Sequence, residues 1–239
     1  MHIIYINSAE NDVAKITGDD FKHLQVLRVK VGDQIKVSDK NSYIYIGTIE
    51  NISKNEAVIS LTQKTQIEKK NTTVTLFHAL CKSDKNEFVV QKATELGADK
   101  VVLFSSENCV VKVNEKSEAK IKRMNKIAHE ASMQCGREEP MSVEGVLNFN
   151  EAVKELASAD LPLFFYEFAT DSFTQKLKNS NVYGNISVMI GSEGGFSDKE
   201  ADIVKNMDVP ILSLGKRILR TETAPIVVLS VLMEHCGEF

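Results

Sequence analysis

Cysteine is scarce in this chain, and its thiols are far apart in sequence. The four cysteines form no Cys-x-x-Cys pair; they are Cys81, Cys109, Cys135 and Cys236. Zinc sites and disulfide frameworks both need closely or regularly spaced cysteines. The sequence therefore predicts no metal site and no disulfide framework, and we expect free thiols in a reducing compartment.

Long apolar runs are also missing. No stretch approaches the length of a membrane span, and the first residues, Met1–Tyr5, show no basic region followed by an apolar core. We therefore expect a cytoplasmic protein that makes no membrane contact.

The two common phosphate-binding motifs are absent. The chain contains no Gly-x-x-x-x-Gly-Lys-Ser/Thr loop and no Gly-x-Gly-x-x-Gly fingerprint. Any small ligand would have to be held by glycine-bearing turns of another kind.

An excess of positive charge is lacking as well. The formal net charge is −4, which argues against a nucleic-acid binder because phosphate contacts usually need a basic surface. The charged residues are unevenly distributed along the chain. Lysines and arginines are concentrated in residues 64–137, while acidic residues dominate 138–171. This asymmetry permits a basic face, although a lysine run is often only a solvated helix face.

The first seventy residues are dense in short strand patterns. Strands rich in β-branched and aromatic residues are predicted at Ile3–Ile6, Gln34–Val37, Tyr43–Glu50 and Ala57–Thr62. Such a density of short strands predicts a small barrel or sandwich. The polar stretch 63–72 is interpreted as a linker, and 239 residues suffice for a second domain beyond it.

The pattern then changes to alternating strands and helices. Strands are predicted at Thr73–Leu80, Lys100–Phe104, Leu161–Tyr166, Ser187–Ile190 and Pro210–Leu214, and helices at Lys85–Leu96 and Glu115–Cys135. Ser197 and Glu200 form a capping-box pattern, and Thr223 with Pro225 begins the last helix. Alternating strands and helices predict a mostly parallel sheet covered on both faces.

Two glycine-bearing segments near the C-terminus, Ile190–Ser197 and Leu212–Ala224, are the most informative part of the chain. Each follows a predicted strand and precedes a predicted helix. Glycine lets the backbone approach a ligand closely, and ligands of open α/β sheets bind at such strand ends. The pair predicts a small-molecule site, although Gly194-Gly195 alone would fit a plain tight turn.

Several motifs resemble those of one family in both order and spacing. They are His23-Leu24, Val26-Leu27-Arg28, Gly32-Asp33, Gln91–Gly97, Gln134, Gly136-Arg137 and the two glycine segments. Together they resemble the SPOUT RNA methyltransferases, and within them the family that methylates N3 of a uridine in small-subunit (16S) ribosomal RNA. The chain departs from that family at Ser192, where proline is usual, and at Asn108, where arginine is usual.

The resemblance implies an architecture. An N-terminal PUA-like β-barrel, residues 1–70, would bind RNA, and a C-terminal SPOUT methyltransferase domain, residues 71–239, would contain a parallel sheet and a deep trefoil knot. The family generally forms homodimers. The implied partner is 16S ribosomal RNA, either free or in the assembled small ribosomal subunit.

The resemblance also implies the cofactor, S-adenosyl-L-methionine. Main-chain groups and an apolar wall in the second glycine segment suit an adenine ring. The implied cofactor-binding residues are Tyr166, Glu167, Ile190, Gly191, Glu193, Gly194, Gly195, Leu214, Gly215, Ile218, Leu219, Arg220, Thr223 and Ala224.

Methylation at N3 of uracil requires loss of the imide proton and stabilisation of the charge that develops. Arg220 is the predicted electrostatic group for that charge, unless it only forms a salt bridge with Glu222 or caps a helix. Glu193 and Glu222 are candidate bases if their pKa values are raised, or they simply pair with Arg217 or Arg220.

Four residues are predicted to contact RNA. His23 and Arg28 would lie in the barrel, although a lone histidine is often structural. Lys92 shares a helix face with Glu95, so it forms either an exposed ion pair or part of the cleft. Arg137 would hold an RNA phosphate.

Two alternatives to the uridine-N3 methyltransferase function remain: a SPOUT methyltransferase for another RNA such as tRNA, and an RNA-binding factor without catalysis.

Overall fold

The computed structural model describes residues 2–9, 11–111, 117–180 and 184–238. The chain divides into two compact units. The N-terminal unit comprises Met1–Lys69 and Ser132–Pro140, and the C-terminal unit comprises Lys70–Ala131 and Met141–Phe239. The segment Ser132–Pro140 therefore belongs with the N-terminal unit, whereas the boundary predicted at residue 70 assigns it to the second domain.

The N-terminal unit is a five-stranded sheet with one helix. Its elements are β1 (Ile3–Ile6), β2 (Val13–Thr17), α1 (Gly18–Val26), β3 (Gln34–Asp39), β4 (Tyr43–Ile52) and β5 (Glu56–Gln66). The strand order is β1-β3-β4-β5-β2, with β1 parallel to β3 and the other pairs antiparallel. All four strands predicted in this region are confirmed, while β2 and α1 were not predicted.

The helix α1 closes one side of the N-terminal core. Phe21 and Leu24, which lie three residues apart on its buried face, pack in one cluster with Ile35 and Ile59 of the sheet. Met133 belongs to the same cluster, so the late segment Ser132–Pro140 supplies part of this core.

The interpretation of residues 63–72 as a linker is wrong at both ends. Strand β5 continues to Gln66, which pairs with Tyr43 of β4. The Lys64 ammonium lies 3.9 Å from the centre of the Tyr43 ring, a cation–π distance. Strand pairing and this contact explain why polar residues extend the strand.

The C-terminal unit alternates strands and helices. It contains β6 (Thr72–Ala79), α2 (Ser83–Glu95), β7 (Lys100–Ser105), α3 (Ser117–Cys135, whose last turn belongs to the N-terminal unit), β8 (Ser142–Asn148), α4 (Phe149–Ala157), β9 (Leu161–Phe165), β10 (Asp171–Ser172), α5 (Phe173–Lys178), β11 (Gly184–Ile190), α6 (Asp198–Lys205), β12 (Ile211–Ser213) and α7 (Thr223–Cys236).

The predicted parallel sheet is confirmed. Among the described residues, seven strands lie in the order β10-β12-β9-β11-β6-β7-β8, and every pair is parallel. The predicted strands and helices recur within a few residues of their observed bounds, except that Glu115 lies outside the described residues. Strands β8 and β10 and helices α4 and α5 were not predicted.

The strand order positions the site. The chain adds β7 and β8 on one side of β6, then returns to the other side, where β11 inserts between β6 and β9. Ligands bind at such a switch point, outside the carboxyl ends of the strands. The carboxyl ends of β9, β11 and β12 are neighbours there.

The predicted capping box at the start of α6 is confirmed. The Ser197 hydroxyl accepts from the Glu200 amide at 3.3 Å, and the Glu200 carboxylate accepts from the Ser197 amide at 2.9 Å. Glu200 is buried and its other oxygen accepts from the Glu107 amide at 2.9 Å. The box therefore ties the first glycine segment to the loop after β7.

Within the described ranges, no helix combines the length and apolarity needed to cross a bilayer. The same residues contain no group of three or more histidine, cysteine or acidic side chains arranged to hold a metal ion. All four cysteines are free; Cys81 and Cys109 are buried and Cys135 is exposed.

Candidate active site

A cavity of about 430 Å³ opens at the carboxyl ends of β9, β11 and β12. Its wall consists of the turn after β9, the loop after β11, the long segment between β12 and α7, and one side chain from α2, Lys85. Apolar side chains and a few polar groups share the lining, as in small-molecule sites generally.

Most of the predicted cofactor residues line this cavity. They are Tyr166, Glu167, Ile190, Gly191, Glu193, Gly195, Leu214, Gly215, Ile218, Leu219, Arg220 and Ala224. Gly194 and Thr223 do not. Gly194 packs against Asn108, whose side-chain amide donates to the Gly194 carbonyl at 3.0 Å, and Thr223 is the first residue of α7.

The loop after β11 is both a tight turn and a cavity wall. The Gly195 amide donates to the Ser192 carbonyl at 3.0 Å, and Gly195 has φ +64°. A Cβ on Gly195 would collide with the Glu167 carboxylate. The positive φ therefore favours glycine in this turn, and a larger residue would displace the Glu167 carboxylate, which also lines the cavity.

The buried Oγ of Ser192, on the cavity wall, lacks a hydrogen-bond partner among the described residues. Buried polar atoms are nearly always hydrogen-bonded in folded proteins. An unpaired hydroxyl beside a cavity is typical of a group whose partner is a ligand. Ser192, where the chain departs from the family pattern, thus presents a hydroxyl to the site.

Lys85 joins the two predicted bases. Its ammonium lies 3.3 Å from Glu193 Oε1 and 3.3 Å from Glu222 Oε2. Burial opposes the charge of Lys85, but its hydrogen bonds and charge interactions with both carboxylates raise its pKa overall. Burial likewise raises the pKa of Glu193, yet hydrogen bonds from its own backbone, Cys81 and Lys85 outweigh that and leave it lowered.

A buried polar layer lies beneath this ion cluster. The Thr221 hydroxyl donates to the Gly191 carbonyl at 2.7 Å, and His78 Nε2 lies 3.3 Å from both oxygens of Thr221. Burial lowers the pKa of His78 to about 4 and raises that of the Cys81 thiol to about 12. Both groups are thus neutral at pH 7; they support Thr221, whose hydroxyl joins the two glycine segments.

Arg220 points its charge toward solvent. Its side chain is 83% exposed, and its Nη1 lies 4.0 Å from Glu222 Oε1. An ion pair of this length and exposure is weak. The backbone carbonyl of Arg220 accepts from the amides of Thr223 and Ala224, so its main chain also anchors the first turn of α7.

The four predicted RNA contacts lie in different units. His23, Arg28 and Arg137 belong to the N-terminal unit, where Arg28 is exposed and has φ +55°. Lys92 is in the C-terminal unit and forms the ion pair with Glu95, at 2.8 Å.

Comparison with known families explains this combination of units. Residues 68–233 match the family model described as RNA methyltransferase domain, and residues 16–62 match the one described as RNA methyltransferase PUA domain. The chain belongs to the RNA methyltransferase family. The predicted fold class is confirmed in its two parts, a PUA-like domain and a methyltransferase domain with a parallel seven-stranded sheet.

Individual RNA methyltransferases resemble the chain over nearly their whole length. The ribosomal RNA small subunit methyltransferase E of Bacillus subtilis is 30% identical over 226 residues, covering 91% of this chain and 88% of the relative. The protein of the same name from Rickettsia conorii is 28% identical over 243 residues, covering 98% and 97%.

Solved structures of methyltransferases share the fold. A methyltransferase of Legionella pneumophila, determined with its cofactor SAM bound, superposes with a TM-score of 0.86 at 26% identity, covering 97% of this chain and 96% of the other. A ribosomal RNA small subunit methyltransferase E of Neisseria gonorrhoeae gives a TM-score of 0.84 at 23% identity, covering 98% and 97%.

Some cavity residues of this RNA methyltransferase were not predicted. Ser192, Lys216, Arg217 and Thr221 lie inside the two glycine segments, so the same motif could have included them. Lys85 is more than a hundred residues away from both segments, and no local signal separates it from the other lysines.

Proposed function

We propose that this RNA methyltransferase transfers a methyl group from S-adenosylmethionine to N3 of a uridine in 16S ribosomal RNA. The observation that carries the proposal is the cavity between the two glycine segments with the exposed Arg220 guanidinium on its wall. The near full-length similarity to proteins named ribosomal RNA small subunit methyltransferase E supports the choice of RNA.

The cavity fits the cofactor. Its volume is within the range of small-molecule sites. Leu214, Ile218 and Leu219 offer an apolar wall for a purine, and the unpaired hydroxyl of Ser192 offers a hydrogen-bonding group. S-adenosylmethionine supplies an electrophilic methyl group when bound. A relative of the same fold carries SAM.

Arg220 is assigned to the base. Loss of the N3 proton places negative charge on O2 and O4 of uracil, and a cation at hydrogen-bond distance stabilises that charge. The guanidinium is the cavity-lining group best suited to this role, because its own ion pair is weak and its side chain reaches solvent.

Glu193 is less suited to strong base catalysis than the sequence suggested. A general base at neutral pH needs a raised pKa, whereas the pKa of Glu193 is lowered. Glu193 and Glu222 remain the candidate proton acceptors, with the larger share of the rate assigned to Arg220 and to the positioning of the imide.

The proposal extends to the other implied properties. His23, Arg28, Lys92 and Arg137 contact RNA, and the PUA-like unit supplies much of the phosphate binding. The trefoil knot, the homodimer and the cytoplasmic location follow from the SPOUT resemblance, and sedimentation of the purified protein tests the dimer.

Mass mapping of nucleosides in 16S ribosomal RNA tests the reaction. Cells lacking the gene are expected to lose one 3-methyluridine, and the purified protein is expected to restore it on small subunits or on free RNA from those cells. An unchanged nucleoside profile contradicts the proposal. Methylation of tRNA alone would favour the other RNA substrate, and calorimetry without S-adenosylmethionine binding would favour a non-catalytic RNA-binding factor.

A further inference from the structure

Four charged side chains of alternating sign form a row; three of them, Glu193, Lys85 and Arg220, line the cavity, and Glu222 lies between Lys85 and Arg220. Lys85 Nζ lies 3.3 Å from Glu193 Oε1 and 3.3 Å from Glu222 Oε2, and Glu222 Oε1 lies 4.0 Å from Arg220 Nη1. The row joins helix α2, the loop after β11 and the segment before α7. Glu222 thus has two cations within reach, one through each oxygen.

The backbone of Lys85 is held firmly. The Asn86 side chain donates to the Cys81 carbonyl at 2.8 Å and accepts from the Cys81 amide at 3.2 Å, and Asn86 is buried. These bonds fix the first turn of α2 to the end of β6. The Lys85 ammonium is therefore delivered to the cavity from rigid elements.

The two cations differ in how strongly they hold Glu222. The Lys85 side chain is 25% exposed, whereas the Arg220 side chain is 83% exposed. A shorter and less solvated pair is the stronger one, because charge interaction weakens with distance and with solvent screening. Glu222 is therefore held by Lys85, which leaves the guanidinium of Arg220 largely uncommitted.

We propose that Lys85 is a positioning residue that binds Glu222 and so keeps Arg220 available for the uracil base. This inference rests on the proposed function, in which Arg220 stabilises the developing negative charge. Without Lys85, Glu193 and Glu222 would be two carboxylates with no ammonium between them. The guanidinium would then turn back and pair with Glu222 through two hydrogen bonds.

A double mutant separates this role from a purely structural one. Lys85→Met is expected to slow single-turnover methylation at saturating RNA and cofactor on the order of a hundredfold, as for loss of one electrostatic donor. Lys85→Arg keeps a cation between the carboxylates and should retain most of the rate. Lys85→Met/Glu222→Gln removes the competing carboxylate as well, and should be about tenfold faster than Lys85→Met alone.

Lys205→Met is the matched control, because Lys205 is an exposed lysine at the end of α6; it should leave the rate unchanged. Wild-type rates for Lys85→Met would overturn the proposal. Because Glu222 is also a candidate proton acceptor, Glu222→Gln alone is measured as well. If that variant keeps the wild-type rate, a double mutant no faster than Lys85→Met would also overturn the proposal, because Glu222 would then not be a competitor for Arg220; if it is slow, the Arg220 signals described next decide.

A second readout does not depend on methylation. In the cofactor-free protein, NMR of the arginine side-chain N–H groups reports whether the Arg220 guanidinium is paired. Lys85→Met should slow its rotation and solvent exchange, and the double mutant should restore both. Unchanged Arg220 signals in Lys85→Met overturn the inference even if 3-methyluridine is made. If wild-type protein makes no 3-methyluridine, the proposed function fails, while these signals still decide whether Lys85 controls Arg220.

Discussion

Arg220 contributes a backbone group and a side chain to different tasks, which makes it a clean target for substitution. Its carbonyl accepts the first amides of α7, and this bond is retained in Arg220→Ala. The substitution should lower turnover on the order of a hundredfold to a thousandfold and leave S-adenosylmethionine affinity nearly unchanged. Single-turnover kinetics on saturating RNA measure the first quantity and calorimetry the second. Normal chemistry in the variant would show that Arg220 is structural.

Gly195 and Gly215 form a matched pair for testing the cavity wall. Both have positive φ, +64° and +112°, so alanine strains the backbone at either position. Only at Gly195 would the new Cβ meet the Glu167 carboxylate, because the space around Gly215 is open. Gly195→Ala should therefore weaken S-adenosylmethionine binding much more than Gly215→Ala in calorimetry. Equal affinities would mean that Glu167 does not form part of the binding wall.

His78 should make the stability of the protein depend on pH. Burial lowers its pKa to about 4 in the folded protein, whereas an unfolded histidine titrates near 6.5. The contribution of His78 to the free energy of unfolding is then present above about pH 6.5. It falls by about 3 kcal/mol as the pH drops to 4, because mainly the unfolded chain binds the proton over that range. Denaturant unfolding of wild type and His78→Gln at several pH values checks this. The variant should lose less stability between pH 6.5 and 4, and equal losses would contradict the assignment.

Two helices begin with the same capping box in different surroundings. In α6, Glu200 is buried and accepts from the amides of Ser197 and Glu107. In α4, Glu151 is exposed and accepts from the Asn148 amide. Glu200→Ala removes the charged acceptor of both amides from a buried position and should cost about 1.5–3 kcal/mol. Glu151→Ala should cost about 0.3–1 kcal/mol, and denaturant unfolding measures both. Similar losses of unfolding free energy in the two variants would show that burial of the glutamate does not determine the loss.

Elements with strong local signals could be predicted from the sequence. The box at Ser197 and Glu200 and the apolar periodicity of α2 are examples, since neighbouring residues alone determine them. Helix α4 carries a comparable signal, with Asn148 as its cap and a buried face from Phe149 to Leu156, and it was still missed. Lys85 is different in kind. Its place in the site depends on how the chain brings α2, the β11 loop and α7 together, and no local pattern contains that information.

At the scale of the whole molecule, cofactor binding and RNA binding should separate. Every residue that lines the cavity belongs to the C-terminal unit. Deleting residues 1–69 should thus preserve S-adenosylmethionine affinity, provided that Met133, which loses its apolar neighbours, is changed to serine. RNA affinity should fall, and its dependence on salt should become shallower as phosphate contacts are lost. Salt titration of RNA binding compares the two proteins, and equal slopes would place the RNA contacts on the C-terminal unit instead.

The N-terminal unit is completed by residues that the ribosome adds late. Met133 is 3% exposed in its core, the Tyr5 hydroxyl donates to the Arg137 carbonyl at 2.6 Å, and the Ser38 hydroxyl donates to the Glu138 carbonyl at 2.7 Å. Domains generally fold in the order in which they are synthesised. Here residues 70–131 must emerge before the first sheet has all of its partners. For that interval the nascent sheet is open to chaperones and proteases, and translation that stops before residue 132 leaves it unfinished.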